Sequence, residues 1–106
     1  VSDEQVRVSN VTFEPGCRNN WHIHNADKGG GQMLIGVAGR GWYQQEGMPP
    51  QEILPGTVIH IPAGVTHWHG AAKDSWFAHL AFEVAGENTS TQWLEAVSDE
   101  QYDKIR

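Results

Sequence analysis

Apolar and polar residues alternate along most of the chain in short runs of four to nine residues. Alternation with a period of two places successive side chains on opposite faces of a β-strand, so each run predicts a strand. The runs are rich in valine, isoleucine, threonine and aromatic residues, which favour strands. The predicted strands cover residues 6–14, 18–24, 32–37, 42–45, 51–54, 57–61, 65–69 and 76–84.

Proline and glycine separate these runs. Pro15-Gly16 and Pro55-Gly56 fit positions i+1 and i+2 of a type II turn, where the second residue needs a positive φ. No stretch before residue 90 has the apolar spacing of a crossover helix, so a parallel βαβ sheet is not expected. The pattern predicts an all-β domain, a closed antiparallel sandwich or barrel.

The C-terminal segment follows a different pattern. Ser98 and Gln101 match a capping box, with two acidic residues between them in the first turn. This predicts a short helix that ends near Ile105. The preceding residues 87–91 are polar and predict a loop, and Trp93-Leu94 are expected to anchor the tail onto the barrel.

Length and charge narrow the function classes. We expect one domain over 1–106, with an N-terminal strand within 1–14 and a C-terminal loop and helix over 87–106. The net charge of -6 and the scattered lysines and arginines argue against nucleic acid as a partner. The chain has no long apolar run typical of a membrane span and no signal-peptide pattern. With Cys17 as its one cysteine, a cytoplasmic protein is expected.

The histidines are not scattered. His22 and His24 are two residues apart, and so are His67 and His69, so each pair projects from one face of its strand. His79 lies in a run whose same face carries apolar residues. Imidazole nitrogens bind zinc, iron, manganese, nickel and copper, and a site of neutral donors leaves coordination positions open for a substrate. The two pairs therefore favour a metal site inside the barrel.

Several neighbouring residues have a plainer interpretation. His60 has no partner in the pattern and is predicted to be a surface or packing residue. Cys17 follows a turn beside Arg18, so a surface thiol is favoured over a metal ligand. The tryptophans are mostly expected in the core, although Trp68 and Trp76 are weak candidates for lining a pocket.

Two stretches resemble the signatures of the cupin superfamily. The first, over 16–39, has a glycine, an H-x-H pair, Gln32 and a second glycine in the family's order. The second, over 56–67, has a glycine, a P-x-G turn and a histidine. The resemblance implies a double-stranded β-helix, or jelly roll, with a metal inside the barrel. It implies four metal ligands: His22, His24, Gln32 and His67.

The resemblance is incomplete at two points. Residues 25–31 look like an inserted loop, whose three glycines suit either a flexible cover over the barrel mouth or a simple hairpin tip. Gln32 stands where the family has an acidic residue. Asp27 is the acidic alternative, but the spacing from Gln32 to Gly39 favours the glutamine.

More narrowly, VTFEPGCRNNWHIH, PAGVTHWHGAA and FAHLAFE resemble small single-domain cupins related to those found with carboxymuconolactone decarboxylases. Some members of that group are bacterial manganese-dependent hydroxynitrile lyases. The resemblance implies catalytic roles for His69 and His79 beside the metal, and it favours manganese, with iron, zinc and nickel also compatible. By the same analogy we expect a small-molecule substrate and a homodimer.

An amide in place of a carboxylate leaves the ion its full positive charge, which favours polarising a substrate oxygen over redox cycling. We therefore expect a metal-dependent lyase or isomerase acting on a small hydroxy or carbonyl compound, with an aromatic group as one option. Two alternatives stay open: an Fe-dependent dioxygenase, and a non-catalytic binding or sensor cupin with a structural metal.

Overall fold

A computed structural model describes residues 8–105, and every named strand pair in it is antiparallel. Within this range, no helix has the length and apolar character needed to cross a membrane. The elements are β1 (Val8–Phe13), β2 (His22–Asn25), β3 (Lys28–Gly29), β4 (Gln32–Gly39), β5 (Gly41–Gln45), β6 (Gln51–Ile53), β7 (Val58–Ile61), β8 (His67–Ala71), β9 (Phe77–Glu83), β10 (Gly86–Glu87), β11 (Ser90–Trp93) and α1 (Asp99–Asp103).

Two sheets form the barrel. One has four strands in the order β1-β9-β4-β7, and the other has five in the order β11-β2-β8-β5-β6. Strands distant in sequence lie side by side, as in a double-stranded β-helix, so the predicted all-β jelly roll with a short C-terminal helix is confirmed. The predicted start of the first strand at residue 6 lies outside the described residues.

The space between the sheets is filled by alternate residues of the strands. On β9, Phe77, His79 and Ala81 are buried, whereas Ala78 and Leu80 between them are partly exposed. The strict alternation means that histidine and apolar side chains share one interior. The apolar part of that interior is a cluster of eight buried residues: Leu34, Tyr43, Ile53, Ile59, Ile61, Ala71, Phe77 and Ala81.

The outer face of the five-stranded sheet is covered by the C-terminal tail. Tyr102 of α1 is buried there, and Leu94 packs against the same cluster as predicted. Trp93 agrees with the prediction only in part: its side chain is 61% exposed, although its ring lies 4.7 Å from that of His22. The buried residues of this second cluster are Trp21, Trp42, Trp68, Ala72, Val97 and Tyr102.

Specific contacts hold the tail in place. The Ser98 side chain accepts a hydrogen bond from the backbone N–H of Gln101, and the capping box is complete, as predicted. The guanidinium of Arg18 donates to the carbonyl oxygen of Val97 at 2.9 Å and lies 4.3 Å from the centre of the Tyr102 ring. These contacts fix α1 against the sheet.

The prediction of a loop over 87–91 is wrong in part. Glu87 ends β10, and Ser90 and Thr91 begin β11, which pairs with β2 along its whole length. The polar composition of this segment concealed the strand. An edge strand needs only backbone pairing on one side, so both of its faces tolerate polar side chains.

Residues 25–31 do not form one open loop. β2 extends to Asn25, and β3 pairs with β10 through Gly86 to Gly29 and Glu87 to Lys28. A Cβ added at Gly31 would lie 2.3 Å from a backbone oxygen, and the φ of this residue is +95°, so glycine is required here. The inserted residues 25–31 are therefore held in place by pairing with β10.

The outer face of the four-stranded sheet has no covering segment comparable to the tail within residues 8–105. Val8 and Val58 are each at least half exposed on it, and His60 is exposed on it, as predicted. Exposed apolar side chains on a sheet face are compatible with a partner. The homodimer stays a prediction.

Candidate metal centre

Strand pairing brings the first three predicted ligands together. β2 pairs with β8 so that His22 lies opposite His67, and their ring centroids are 4.2 Å apart. The ring of His24, two residues along β2, lies 5.1 Å from that of His22 and 5.2 Å from that of His67. One ligand nitrogen from each of the three histidines lies within 4.8 Å of the others. This spacing suits three nitrogens that share one cation.

The hydrogen bonds of Nδ1 in His22 and His67 show which nitrogen of each ring carries the proton. His22 Nδ1 lies 2.8 Å from the carbonyl oxygen of Asn20, and His67 Nδ1 lies 2.9 Å from that of Val65. A carbonyl only accepts, so each Nδ1 carries the proton and each Nε2 keeps a lone pair. Within residues 8–105, the buried Nε2 of His67 has no hydrogen-bond partner. A lone pair left bare in this way fits a metal ion, and the backbone carbonyls are the outer partners that orient such ligands.

Gln32 lies at the start of β4, with its side chain next to His24. Its Oε1 lies 3.2 Å from His24 Nε2, so the amide oxygen is directed towards the three-histidine cluster. On the other side of the ring, Thr91 Oγ1 is 3.3 Å from His24 Nδ1. Asp27, the acidic alternative, is exposed and accepts a hydrogen bond from Asn88 at 2.6 Å. The structure thus places the glutamine, and not Asp27, beside the histidines.

His69 and His79 lie beside the cluster, from opposite sheets. The ring of His69 on β8 is 5.6 Å from that of His22, and the ring of His79 on β9 is 4.8 Å from that of His69. Both side chains are buried. The Phe13 ring lies 5.9 Å from His69 and 6.0 Å from His79, which gives this end of the interior an apolar wall.

His79 carries a second bare nitrogen. Its Nδ1 lies 3.2 Å from the carbonyl oxygen of Leu80 and carries the proton, so Nε2 is unprotonated. That Nε2 is buried and has no partner among the described residues. Buried polar atoms are nearly always hydrogen-bonded in folded proteins, so an exception beside a candidate metal site indicates a group kept for a ligand or substrate.

Burial keeps the site histidines neutral. It lowers the pKa of His67 to about 4 and the pKa of His69 well below its usual value. Burial is also the main cause of the lowered pKa of His22, His24 and His79, because a charged ring would lose hydration inside the barrel. All five imidazoles are thus unprotonated on one nitrogen near pH 7, the form needed for binding metal and accepting protons.

Solvent reaches the cluster on the side of His24, the one half-buried histidine of the five. A cavity of about 200 Å³ borders its ring. Its remaining lining is mostly polar: Asn25, Gly31, Glu83, Val84, Thr89, Ser90 and Thr91. A small molecule that enters here meets His24 before any other histidine of the cluster.

Some neighbouring residues differ from expectation. Trp68 is not in the lining of the cavity beside His24; it is buried outside the barrel interior and donates its indole N–H to Gln44 at 3.0 Å. Trp76 is exposed and absent from the lining of the cavity beside His24, whereas Cys17 is exposed as predicted.

Sequence reasoning missed several contacts of the histidines, among them those of Phe13, Thr91 and Asn19. Phe13 falls in the predicted first strand, whose alternation could have placed its ring inside. Thr91 falls in the segment interpreted as a loop. Asn19, which contacts His69, precedes the first H-x-H pair, and an asparagine there carries no pattern that indicates its partner.

Comparisons with known proteins agree with this fold. No protein-family model matches the chain. An (R)-mandelonitrile lyase of Granulicella tundricola is 46% identical over 97 residues, which cover 92% of this chain and 71% of the relative. A cupin-like protein from Thermotoga maritima superposes with a TM-score of 0.82 at 39% identity, covering 94% of this chain and 72% of that one. A DMSP lyase from Ruegeria pomeroyi, 20% identical, has a TM-score of 0.72 over 92% of this chain and 47% of its own, a likeness of fold alone. The link to carboxymuconolactone decarboxylases stays a prediction.

Proposed function

The chain belongs to the cupin superfamily, and on that premise we propose that it is a metal-dependent lyase that cleaves a small cyanohydrin. One observation carries the proposal. The buried Nε2 of His79 has no partner within residues 8–105, on a ring packed against His69 beside the three-histidine cluster. Such a nitrogen is suited to accept a proton from a substrate hydroxyl.

The proposed metal ligands are His22, His24, His67 and Gln32. Three neutral imidazoles and an amide oxygen add no negative charge, so a divalent ion there would act as a Lewis acid on a substrate oxygen. Manganese is the metal we expect, from the resemblance to manganese-dependent lyases. Iron, zinc and nickel accept the same donors.

The residues of the chain supply the proton transfers. His79 Nε2 takes the hydroxyl proton of the cyanohydrin, and a carbonyl group forms as the bond from carbon to the nitrile carbon breaks. The bonding pair leaves with cyanide, which then takes that proton from His79 to become hydrogen cyanide, so that His79 returns to its neutral form. His69 lies next to His79 and is the proposed hydrogen-bond donor to the leaving group. A positioned imidazole of this kind contributes about 10² to 10⁴ in rate.

The choice of a cyanohydrin is supported by the mandelonitrile lyase relative, which is 46% identical. The apolar wall of Phe13 beside both histidines is compatible with an aromatic substituent on the substrate. Among residues 8–105, the side chains close enough to share a metal are three histidines without a carboxylate. This makes redox chemistry with iron less favoured, because anionic ligands stabilise the higher-valent metal.

The test is cyanide release from mandelonitrile by protein loaded with Mn(II). We expect turnover that disappears on chelation and returns when Mn(II) is added back. His79→Ala should lower kcat by about 10² to 10⁴ with the fold and metal content unchanged. His60→Ala, which removes an exposed histidine outside the site, is the matched control and should keep full activity.

Two results would contradict the proposal and favour an alternative. Oxygen uptake by Fe(II)-loaded protein with phenolic or thiol substrates, without cyanide release from any cyanohydrin, would favour a dioxygenase. A metal that only raises the melting temperature, with His69→Ala and His79→Ala both without effect on ligand binding, would favour a sensor or binding protein.

A further inference from the structure

Trp93 shares a face of the five-stranded sheet with two of the proposed metal ligands. β11 pairs with β2 so that Thr91 lies opposite His24 and Trp93 lies opposite His22. Residues opposite each other in an antiparallel pair project from the same face, so Thr91 and Trp93 lie on the face that carries the two histidines. The contacts agree with this register. Thr91 Oγ1 is 3.3 Å from His24 Nδ1, and the ring centroid of Trp93 is 4.7 Å from that of His22, with the ring planes 33° apart.

The indole of Trp93 is nevertheless open to solvent. Trp93 is 61% exposed, whereas His22, against which it packs, is buried. β11 is the edge strand of its sheet, so within residues 8–105 no further strand of that sheet lies beside Trp93. A large apolar ring that packs on one side against a buried histidine of the site, with much of its surface exposed, is accessible to a molecule bound at that site.

Phe13, the other aromatic side chain beside the histidines, has a different environment. It is partly buried and packs against the apolar cluster of the interior, with its ring stacked on that of Phe77 at 6.3 Å. A row of rings runs from Phe13 through His69 and His22 to Trp93, with successive centroids 5.9, 5.6 and 4.7 Å apart. The row is closed by protein at Phe13 and open at Trp93, so a large substituent has room only at the tryptophan.

We propose that Trp93 determines substrate specificity: it selects cyanohydrins that bear an aromatic ring, and that ring packs against the exposed indole. Aromatic pairs attract each other beyond the burial of apolar area, so an indole distinguishes a phenyl group from a saturated ring of similar size. Because this side of the site is open to solvent, substituents at the far end of the phenyl ring are tolerated. The inference rests on the proposed lyase function for the reaction, but the preference for an aromatic ring is measurable without turnover.

The direct test is binding of 1-phenylethanol, which has a methyl group in place of the nitrile of mandelonitrile and releases no cyanide. The matched probe is 1-cyclohexylethanol, which has the same hydroxyl group and a saturated ring. Titration of Zn(II)-loaded protein, followed by the indole N–H signals in ¹H–¹⁵N NMR, gives both dissociation constants, and the Trp93 peak is assigned by its loss in Trp93→Leu. We expect 1-phenylethanol to move the Trp93 peak and to bind about three- to tenfold more tightly than 1-cyclohexylethanol.

Trp93→Leu sharpens the test because it keeps an apolar side chain over His22 and removes the aromatic surface. The two probes should then bind with equal dissociation constants, while the Zn(II) content is unchanged. Trp93→Phe restores an aromatic ring and should restore most of the preference. In turnover, the ratio of kcat/KM for mandelonitrile to kcat/KM for the cyanohydrin of cyclohexanecarbaldehyde should fall about three- to tenfold in Trp93→Leu.

Trp76→Leu is the matched control. Trp76 is 58% exposed but lies beyond the opposite end of β4 from Gln32, where its carbonyl oxygen accepts from the backbone N–H of Arg40. The control should leave both dissociation constants unchanged. No saturable binding of 1-phenylethanol, equal binding of both probes by the unaltered protein, or a preference that survives in Trp93→Leu would overturn the inference. A protein that prefers 1-phenylethanol through Trp93 but releases no cyanide from either cyanohydrin would fail the lyase proposal alone.

Discussion

The two faces of β8 have opposite chemistry although both are buried. His67 and His69 project into the barrel interior, and Trp68 between them projects outward beneath the C-terminal tail. On the outer face, the polar group of Trp68 is satisfied, since its indole N–H donates to Gln44. On the inner face, Nε2 of His67 has no partner among residues 8–105.

Within this one strand, Trp68 contributes to stability, whereas the histidines beside it indicate a functional site. Burying the Trp68 ring with its N–H bonded lowers the free energy of the folded state, which is what a packing residue does. Burying a bare imidazole nitrogen costs free energy, so it indicates a site that is completed by something else. The strand period of two lets neighbouring residues serve these separate purposes.

The largest effect is expected on the inner face, from His67→Ala. Losing one of three histidine ligands should weaken Mn(II) binding and lower cyanide release by about 10³ or more, while circular dichroism stays that of the folded barrel. Metal content after dialysis, together with the cyanide assay, measures this.

His60→Ala again supplies the comparison, because it removes an exposed histidine from the opposite sheet. If both variants lost metal equally, or if His67→Ala kept its metal and activity, the three-histidine cluster would not be the metal site.

On the outer face, Trp68→Ala should act on stability first. Removing a fully buried tryptophan side chain costs about 3 to 5 kcal/mol, partly through the cavity left behind. For a domain of this size we expect the melting temperature of the metal-free protein to fall by more than about 10 °C.

Trp76→Ala, where the parent side chain is 58% exposed, should change the melting temperature little. Equal losses in the two tryptophan variants would mean that the tail does not cover Trp68 as described. The folded fraction of Trp68→Ala should still bind one Mn(II) per chain, because its histidines are unchanged.

Much of the fold and of the candidate site could be predicted from the sequence, because both depend in part on local patterns such as the alternation in β8. Alternation in β8 predicted that His67 and His69 share a face and that Trp68 lies on the other, and the structure confirms it. The turns and the capping box at Ser98 are likewise local patterns. Local patterns are what one sequence can report.

What the sequence could not supply are contacts between elements distant along the chain. The pairing of β11 with β2 brings Thr91 to His24, and the segment before β2 brings Asn19 to His69, across separations of 67 and 50 residues. The strand at 90–93 was also hidden by its polarity, because backbone pairing at a sheet edge leaves no apolar alternation to detect. The proposed roles of Gln32, His69 and His79 remain predictions. Each role depends on a bound metal or substrate that these side chains would contact together.

A smaller effect on the free energy of unfolding is expected from pH. It depends on the buried histidines of the inner face of β8. The pKa of His67 is lowered from 6.5 to about 4 by burial, so between these values the unfolded chain binds a proton that the folded protein excludes. The free energy of unfolding of metal-free protein should therefore rise with pH across this window and be lost as pH falls from 6.5 towards 4, by about 1 to 3 kcal/mol.

Urea unfolding of chelated protein at pH 4.5, 5.5 and 7 measures this dependence. His67→Gln should make it less steep, because four other site histidines with a lowered pKa remain, whereas His60→Gln should leave it unchanged. A stability that is constant over this range, or that rises as the pH falls, would contradict the neutral, buried state of the inner-face histidines.

The smallest effect on stability is expected in the C-terminal tail, which covers the outer face of the five-stranded sheet. Ser98→Ala removes the side-chain oxygen that accepts from the backbone N–H of Gln101 at the start of α1. We expect a loss of about 1 kcal/mol in the free energy of unfolding, the usual cost of losing such a cap. Ser98→Asp keeps an acceptor and should retain most of the stability. Mn(II) affinity should be equal in all three proteins, because the cap supports only the outer face of β8; a drop in affinity that follows the loss of the cap would show that the two faces are coupled.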